Sequence, residues 1–270
     1  MLKSAMMSED FSLLQSVPAV LRARDFRLYT TDGKRLVDLW QNGGAAILGH
    51  TPPSLLRELK NTASRGLYAP FPHFLEGRFL KALSRIFPGR NFRLYAAPPP
   101  ELETLTAAGK AVLWRPFIDP AAPLAVRQNA SPVLIPVVPG IQLWRGGLPL
   151  GLCPLAIVPD FEASLPPPDF LPPVLLACAA RGIYDLIAAA PQRAKPSYPR
   201  IAKALKNSRW QRQGLYLSLR QSLSQEDWAT MFRNFLDNGF LLPPVSSQPA
   251  ILPGVLSPGE ETKLAGLLAN

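Results

Sequence analysis

The residues of this chain that could carry chemistry are few and far apart. It has two histidines, His50 and His73, and two cysteines, Cys153 and Cys178. Neither pair has the spacing of a metal site, so no metal is expected. The sequence contains no nucleophile elbow, no phosphate-binding P-loop and no dinucleotide fingerprint. We interpret the cysteines as buried thiols in a reducing compartment and the histidines as structural residues.

The composition is typical of a soluble chain, with one unusual feature. Hydrophobic residues make up 47% of the 270 residues and charged residues 18%, which is enough for a sizeable core and argues against intrinsic disorder. No segment has the composition of a signal peptide or of a membrane span. Proline is in excess, and 17 of the 31 prolines fall between residues 96 and 175. Because proline removes a backbone donor, this section should hold short strands and irregular connections.

Part of the net charge of +10 lies in one run of basic residues that contains no acid. Its members are Arg193, Lys195, Arg200, Lys203, Lys206, Arg209 and Arg212. One interpretation is a surface for nucleic acid or another anionic partner. The interpretation that we favour is the solvated face of a helix that turns Ile201 and Leu205 inward. No aromatic-interleaved or zinc-type motif accompanies the run, so nucleic acid is not an expected partner.

The elements that must position any site are helices and strands in mixed order. Asp32 and Gly33 form a strong hairpin-turn signal. Residues 43–50 (GGAAILGH) form a small-residue segment, where the backbone must approach another group closely. Helices are predicted over residues 53–64, 72–87, 174–189, 199–207 and 225–238, and strands over 20–40 (a meander), 91–96, 111–114, 133–138, 155–158 and 214–220. A last helix opens on the capping box of Ser257 and Glu260.

Motifs at both ends of the chain resemble one known family. Residues 24–39 (RDFRLYTTDGKRLVDL) and 43–50 (GGAAILGH) resemble the N-terminal segment of class III aminotransferases, above all the glutamate-1-semialdehyde aminomutase-like members. Residues 87–89 (FPG) fit the family's next turn. Similarity to the family's small C-terminal domain lies in residues 214–219, 239–244 and 257–261. The resemblance covers about residues 20–96 and 140–270.

The resemblance implies three contacts to pyridoxal phosphate: a lysine that forms a Schiff base, a phosphate cradle and an acid at the pyridine nitrogen. Residues 142–151 (QLWRGGLPLG) fit the lysine motif, with Gln142 in the place of the lysine. An amide has no nucleophilic amine lone pair, so Gln142 cannot form an imine. The first contact is therefore lost.

The other two contacts are altered as well. The family's cradle sequence Ser-Gly-Thr is replaced by Pro98, Pro99 and Pro100, which offer no backbone N–H and no hydroxyl to a phosphate. The strand that carries the acid is similar to residues 133–138, with Pro136 in the place of the aspartate. Residues 120–159 contain no Asp or Glu, so the acid is missing in any register.

The sequence therefore predicts an α/β protein: a shortened PLP-dependent transferase (fold type I)-like large domain with a small C-terminal α+β domain. We expect the large domain over residues 1–173, with its proline-rich part at 96–173, and the small domain over 174–270. No catalytic residue and no cofactor are expected. A remnant cleft would be lined by Gly43, Gly44, His50, Gln142 and Arg145.

Three functional hypotheses remain open. The first is a non-catalytic, cytoplasmic protein that binds a ligand or partner; the resemblance implies a homodimer, because the family's active sites form between subunits. Its ligand would be small and anionic or amino-acid-like. The alternative is an enzyme that acts on an amino-acid-like substrate without covalent pyridoxal phosphate, through Gln142, Arg145 or His50. The third is a scaffold that uses the basic run.

Overall fold

The structure is a computed structural model that describes most of the chain. The described residues are 12–96, 99–101, 112–125, 133–134, 143–145, 148–150, 155–157, 165–194 and 197–269. The strands are β1 Val20–Arg24, β2 Arg27–Thr30, β3 Arg35–Asp38, β4 Asn91–Arg93, β5 Val112–Leu113, β6 Val133–Leu134, β7 Leu143–Arg145, β8 Leu148–Leu150, β9 Leu155–Ile157, β10 Trp210–Gln213, β11 Tyr216–Leu219, β12 Phe240–Leu241 and β13 Ala250–Ile251. The α-helices are α1 Pro53–Ala63, α2 Leu75–Leu83, α3 Pro173–Arg193, α4 Pro199–Ala204, α5 Gln225–Asp237 and α6 Pro258–Ala269. Short 3-10 turns lie at Ser12–Ser16, Gln41–Gly44 and Leu205–Asn207.

The chain divides into two compact units, which we call the terminal unit and the central unit. The terminal unit comprises the described parts of residues 1–51, 118–121 and 191–270, and the central unit those of 52–117 and 122–190. This division differs from the predicted boundary between residues 173 and 174. The reason is that β3 pairs in parallel with β12, which places the N-terminal segment in one unit with the C-terminal helices.

Two sheets form the framework of the terminal unit, with the strand orders β1-β2-β3-β12 and β10-β11-β13. Strands β2 and β3 are antiparallel and reverse at the predicted turn, where Gly33 has a φ of 79°. A hydrogen bond of 2.5 Å from Thr30 Oγ1 to Asp32 Oδ1 fixes this turn. The core of the unit consists mostly of leucines packed around aromatic side chains; its largest fully buried side chains are Trp210, Phe232, Phe235 and Phe240.

Side-chain caps determine where two helices of the terminal unit begin. At α5, the N–H of Asp227 donates to Ser224 Oγ at 3.1 Å. At α6, the N–H of Ser257 donates to the Glu260 carboxylate at 2.8 Å, and the N–H of Glu260 donates to Ser257 Oγ at 3.3 Å, so the predicted capping box is confirmed. Arg27 of β2 donates to the same carboxylate at 2.6 and 3.0 Å, which ties α6 to the first sheet.

The central unit contains a mixed sheet with the order β4-β9-β6-β5 and the β7-β8 hairpin. Strands β5 and β6 are parallel, whereas β9 is antiparallel to both of its neighbours. Helices α1 and α3 are joined through Asp185, whose carboxylate accepts hydrogen bonds from Ser54 and from Arg181 Nε, the latter at 2.9 Å. The mixed sheet agrees with the α/β class predicted from the sequence.

Helix α2 is shorter than predicted at both ends, since it spans Leu75–Leu83 instead of residues 72–87. The ring of His73 accounts for this start: its Nδ1 accepts the N–H of Leu75 at 3.2 Å and so satisfies one donor of the first turn. The histidine thus has the structural role at a helix start that the sequence predicts.

Helix α3 is long and apolar enough to cross a membrane by length and composition alone. More than half of its apolar window is buried inside the protein, as in the core helix of a soluble domain. It also carries an ion pair between Arg181 and Asp185, at 2.5 Å. These properties agree with the soluble chain predicted from the composition.

Candidate functional site

A loop of unusual backbone conformation follows β3 in the terminal unit. Gln41, Asn42, Gly43 and Gly44 have successive φ values of 50°, 47°, 66° and 106°. The left-handed region accommodates the two glycines readily, but each non-glycine residue held there costs about 1–3 kcal/mol. Strain of this kind persists only where the surroundings fix it, and it is concentrated at functional sites. The loop Gln41–Gly44, which we call the strained loop, therefore carries its strain at Gln41 and Asn42, directly before the predicted small-residue segment.

Asp38 is the residue that holds this loop. Its Oδ1 accepts the backbone N–H groups of Trp40 and Gln41, each at 2.8 Å, while its Oδ2 bonds His50 Nε2 at 2.8 Å. The Asp38 side chain is only 2% exposed, and His50 is 18% exposed. Because a carboxylate only accepts, Nε2 of His50 is the donor in this bond, which fixes the orientation of the ring.

A second set of side chains binds three successive carbonyls, beginning at the last residue of β13. Gln41 Nε2 donates to the carbonyl of Ile251 at 2.9 Å. Arg193 Nη2 donates to that of Leu252 at 2.7 Å, and Tyr198 Oη donates to that of Pro253 at 2.5 Å. These bonds join two distant segments of the terminal unit, at Gln41 and at Arg193 and Tyr198, to one stretch of chain.

Arg193 is a buried cation. Its Nε donates to the carbonyl of Ile47 at 2.9 Å, and its guanidinium lies 5.1 Å from the centre of the Phe26 ring. Burial lowers the pKa of Arg193 to about 10, since no carboxylate of the described residues pairs with it. A β-carbon on residue 254 would lie 2.8 Å from the Phe26 ring. Only glycine therefore fits at position 254, where the backbone passes this ring.

Three of the five residues predicted to line a remnant cleft lie in the described segment that follows β3. Gly43, Gly44 and His50 lie in one loop around Asp38. Arg145 is described only as a backbone position of β7, paired with Leu148, and Gln142 lies outside the described residues. Sequence reasoning missed Asp38, Gln41 and Arg193 as members of this arrangement. The available signal was Asp38, which stands in the resembling motif twelve residues before His50.

The end of β4, where the resemblance places the phosphate cradle, is occupied by the chain itself. The Asp169 carboxylate accepts the N–H of Ala96 at 2.9 Å, and the N–H of Asp169 donates to the carbonyl of Leu94, also at 2.9 Å. Tyr95 Oη donates to the carbonyl of Pro166 at 2.7 Å. Residues 165–169 therefore form hydrogen bonds with the segment that directly follows β4.

This arrangement does not fit a phosphate group. Burial is the main cause that raises the pKa of Tyr95, and the negative charges of Asp169 and Glu101 raise it further, so both carboxylates lie near this strand end. A phosphate would meet two like charges, an N–H that already has an acceptor, and the Arg93 guanidinium, whose Nη1 already donates to the carbonyls of Leu165 and Pro166. Pro99 and Pro100 have no N–H to offer. Pro98 and Pro136 lie outside the described residues.

The remaining candidate groups do not form a reactive centre. Burial raises the pKa of the Cys178 thiol to about 12, which makes it an inert thiol, as predicted. Cys153 lies outside the described residues. Within the part of the chain that the structure describes, no group of three or more His, Cys, Asp or Glu residues could hold a metal ion.

The basic run does not form one exposed face. Arg193 is buried, and Arg200 donates to the carbonyl of Pro258 at 2.6 Å. Arg212 lies 5.9 Å from the centre of the Tyr198 ring and belongs to strand β10. The predicted helix therefore covers only the middle of the run, and Lys195 lies outside the described residues.

Comparison with known proteins gives one relative over most of the chain and another over a quarter of it. No family's sequence profile matches this chain. An uncharacterized protein of Treponema pallidum (strain Nichols) is 27% identical over 284 residues, which is 87% of this chain and 88% of the relative. The glutamate-1-semialdehyde 2,1-aminomutase of Sorangium cellulosum (strain So ce56) is 33% identical over 69 residues, which is 26% of this chain and 16% of the enzyme.

Solved structures of similar fold are aminotransferases. The ornithine delta-aminotransferase of Plasmodium falciparum matches with a TM-score of 0.65 and 12% identity over 99% of this chain and 97% of that one. The acetylornithine aminotransferase of Elizabethkingia anophelis matches with a TM-score of 0.61 and 11% identity over 94% and 92% of the two chains. The chain thus has the fold of the PLP-dependent (fold type I) class III aminotransferases. The resemblance and the fold class predicted from the sequence are confirmed.

Proposed function

We propose that this chain is a non-catalytic, aminotransferase-like protein that acts by binding a ligand or a partner without pyridoxal phosphate. The observation that supports this most is the bond from Ala96 N–H to the Asp169 carboxylate, where the family's phosphate cradle would begin. The sequence adds Gln142 and Pro136 at the positions that resemble the Schiff-base lysine and the pyridine acid. Each change removes a different cofactor contact.

A pyridoxal phosphate titration tests this proposal. We expect no absorbance of an internal imine when the cofactor is added to the protein. After borohydride reduction, mass spectrometry should find no pyridoxyl-lysine in stoichiometric amount. The variant Asp169→Asn removes one repelling charge and should still form no imine, because the prolines and Gln142 remain. A stoichiometric imine in the unmodified protein would contradict the proposal.

We further propose that the protein is a cytoplasmic homodimer. The fold resembles that of enzymes whose sites form between subunits, and the central unit exposes aromatic side chains that could meet a second copy. Tyr68, Phe74 and Phe170 are 63%, 73% and 61% exposed. The N–H of Val174 donates to the carbonyl of Leu67 at 3.3 Å, which brings the segments of Tyr68 and Phe170 together. Exposed apolar patches commonly mark protein interfaces.

The second candidate function is an enzyme that uses His50 on an amino-acid-like substrate. The observation that favours it is the bond between His50 and the buried Asp38. A histidine that acts as a general base is commonly held in position by a carboxylate in this way. The variant His50→Gln keeps a donor for Asp38 but cannot take up a proton. Loss of turnover in a folded His50→Gln protein would support this function, and unchanged turnover would exclude His50 as its base.

A further inference from the structure

The terminal unit contains a cavity whose lining includes no residue of the strained loop and none of the hydrogen-bond partners named for it above. It has a volume of about 420 Å³, within the range of about 300–1,000 Å³ of small-molecule sites. One wall is a stripe of α5 with helical spacing, formed by Gln225, Ala229 and Arg233. The opposite walls come from the 3-10 turn at Ser12–Ser16 and from residues 244–247.

Trp228 lines this cavity and has an unsatisfied donor. Its side chain is buried, with 3% of the residue exposed, and its Nε1–H has no hydrogen-bond partner within the described part of the chain. The nitrogen itself has almost no accessible surface, so the cavity meets the indole ring of Trp228 rather than its N–H. Within the described part of the chain, the indole N–H of Trp114 and Nη1 of Arg193 also lack a hydrogen-bond partner, but neither residue lines this cavity.

Arg233 gives the cavity its charge. It is exposed on α5 and forms no ion pair or hydrogen bond with any residue that the structure describes. The other residues of the lining include no Asp, Glu or Lys, so this guanidinium is the only formal charge of the described lining. The remaining surface is partly apolar, with Leu13, Leu223 and Val245, and partly hydroxylated, with Ser246 and Ser247.

We propose that this cavity binds a small organic acid with an apolar body. The carboxylate would pair with Arg233, since a guanidinium matches the two oxygens of a carboxylate. The body would lie against Leu13, Leu223 and Val245, beside the ring of Trp228. The site is lined by residues of the terminal unit, none of which resembles a cofactor contact, so it does not depend on the function proposed above.

Two matched probes test the proposal by calorimetry on the full chain: 4-phenylbutyrate and its neutral amide, 4-phenylbutanamide. We expect the acid to bind at least tenfold more tightly than the amide. In a spectrum of protein with ¹⁵N-labelled tryptophan, the indole N–H signal of Trp228 should shift when either probe is added. The variant Trp228→Phe identifies that signal by its absence.

The charge variant Arg233→Gln supplies the decisive comparison, because this exposed residue can change without loss of the fold. It should bring the acid and the amide to the same affinity. The control Lys203→Gln removes an equal charge from an exposed position of α4 and should leave the tenfold difference intact. Absence of binding by the acid at millimolar concentration, or an unchanged difference in Arg233→Gln, would overturn the proposal.

Discussion

The guanidinium of Arg193 donates from Nη2 to the carbonyl oxygen of Leu252 across 2.7 Å, at a place where it has no carboxylate partner among the described residues. Its Nε donates in the same way to the carbonyl of Ile47 at 2.9 Å. The arginine thus satisfies two buried carbonyls that come from the two ends of the chain. The net contribution of Arg193 to stability is the free energy gained from these bonds minus the cost of burying its charge.

Replacement of Arg193 by methionine should destabilise the terminal unit by about 2 kcal/mol. Two hydrogen bonds to a charged group contribute about 1.5–3 kcal/mol each. The lowered pKa, about 10 against 12.5, shows that charge burial offsets about 3 kcal/mol of this. Urea unfolding measures the difference. The control Lys203→Met, on the exposed side of α4, should change stability by less than about 0.5 kcal/mol; an Arg193→Met protein as stable as the control would contradict the prediction.

Replacement of Asp38 and replacement of His50 should have different effects on the hydrogen bonds of the strained loop. Asp38→Ala removes the acceptor of the Trp40 and Gln41 amides, so those two amides should lose protection from hydrogen exchange and stability should fall by about 2–4 kcal/mol. His50→Gln keeps a donor to Asp38 and should leave the protection of both amides intact. Equal exchange rates in the two variants would show that Asp38 does not hold the loop.

Glu260 should make the protein sensitive to acid. Burial alone would raise its pKa, but the bonds and charge of Arg27, with the N–H of Ser257, lower that pKa from 4.5 to about 2. Because the folded-state pKa lies below the unfolded value, the stabilisation is complete above pH 4.5 and is lost as the pH falls toward 2. Solvent screening limits it to about 1–2 kcal/mol.

The variant Glu260→Gln isolates this contribution. It should be less stable than the unmodified protein at pH 7 and equally stable near pH 2, as measured by urea unfolding at several pH values. Asp237→Asn, an exposed acid at the end of α5, serves as the control and should show no such convergence. A constant difference at all pH values would assign the effect of Glu260 to packing instead of charge.

The parts of the fold that local sequence encodes were predictable. The Asp32-Gly33 turn and the capping box of Ser257 and Glu260 each depend on residues within a few positions of one another. Strand β10 was missed because, of its residues, only Trp210 is buried and its neighbours are polar, so no alternation of apolar residues appears. The unit boundary was misplaced because one sequence gives no signal for the pairing of β3 with β12.

The candidate site was predictable only in part, for a related reason. Gly43, Gly44 and His50 stand in a motif that resembles a family. The partners of Arg193 and Gln41 are backbone carbonyls, which every residue carries and no motif marks. Asp169 reaches Ala96 across a separation of 73 residues, which only the folded chain reveals.

The exposed aromatic residues of the central unit give the last prediction, on assembly. If Phe74 and Phe170 contact a second copy, replacing both by serine removes apolar area from two symmetric halves of one interface, so the loss counts twice. Light scattering at micromolar concentration should show two chains for the unmodified protein and one for Phe74→Ser/Phe170→Ser. Leu21→Ser is the matched control, because Leu21 is 71% exposed in the terminal unit, and it should leave the mass unchanged. A dimer that survives the double change would place the interface elsewhere.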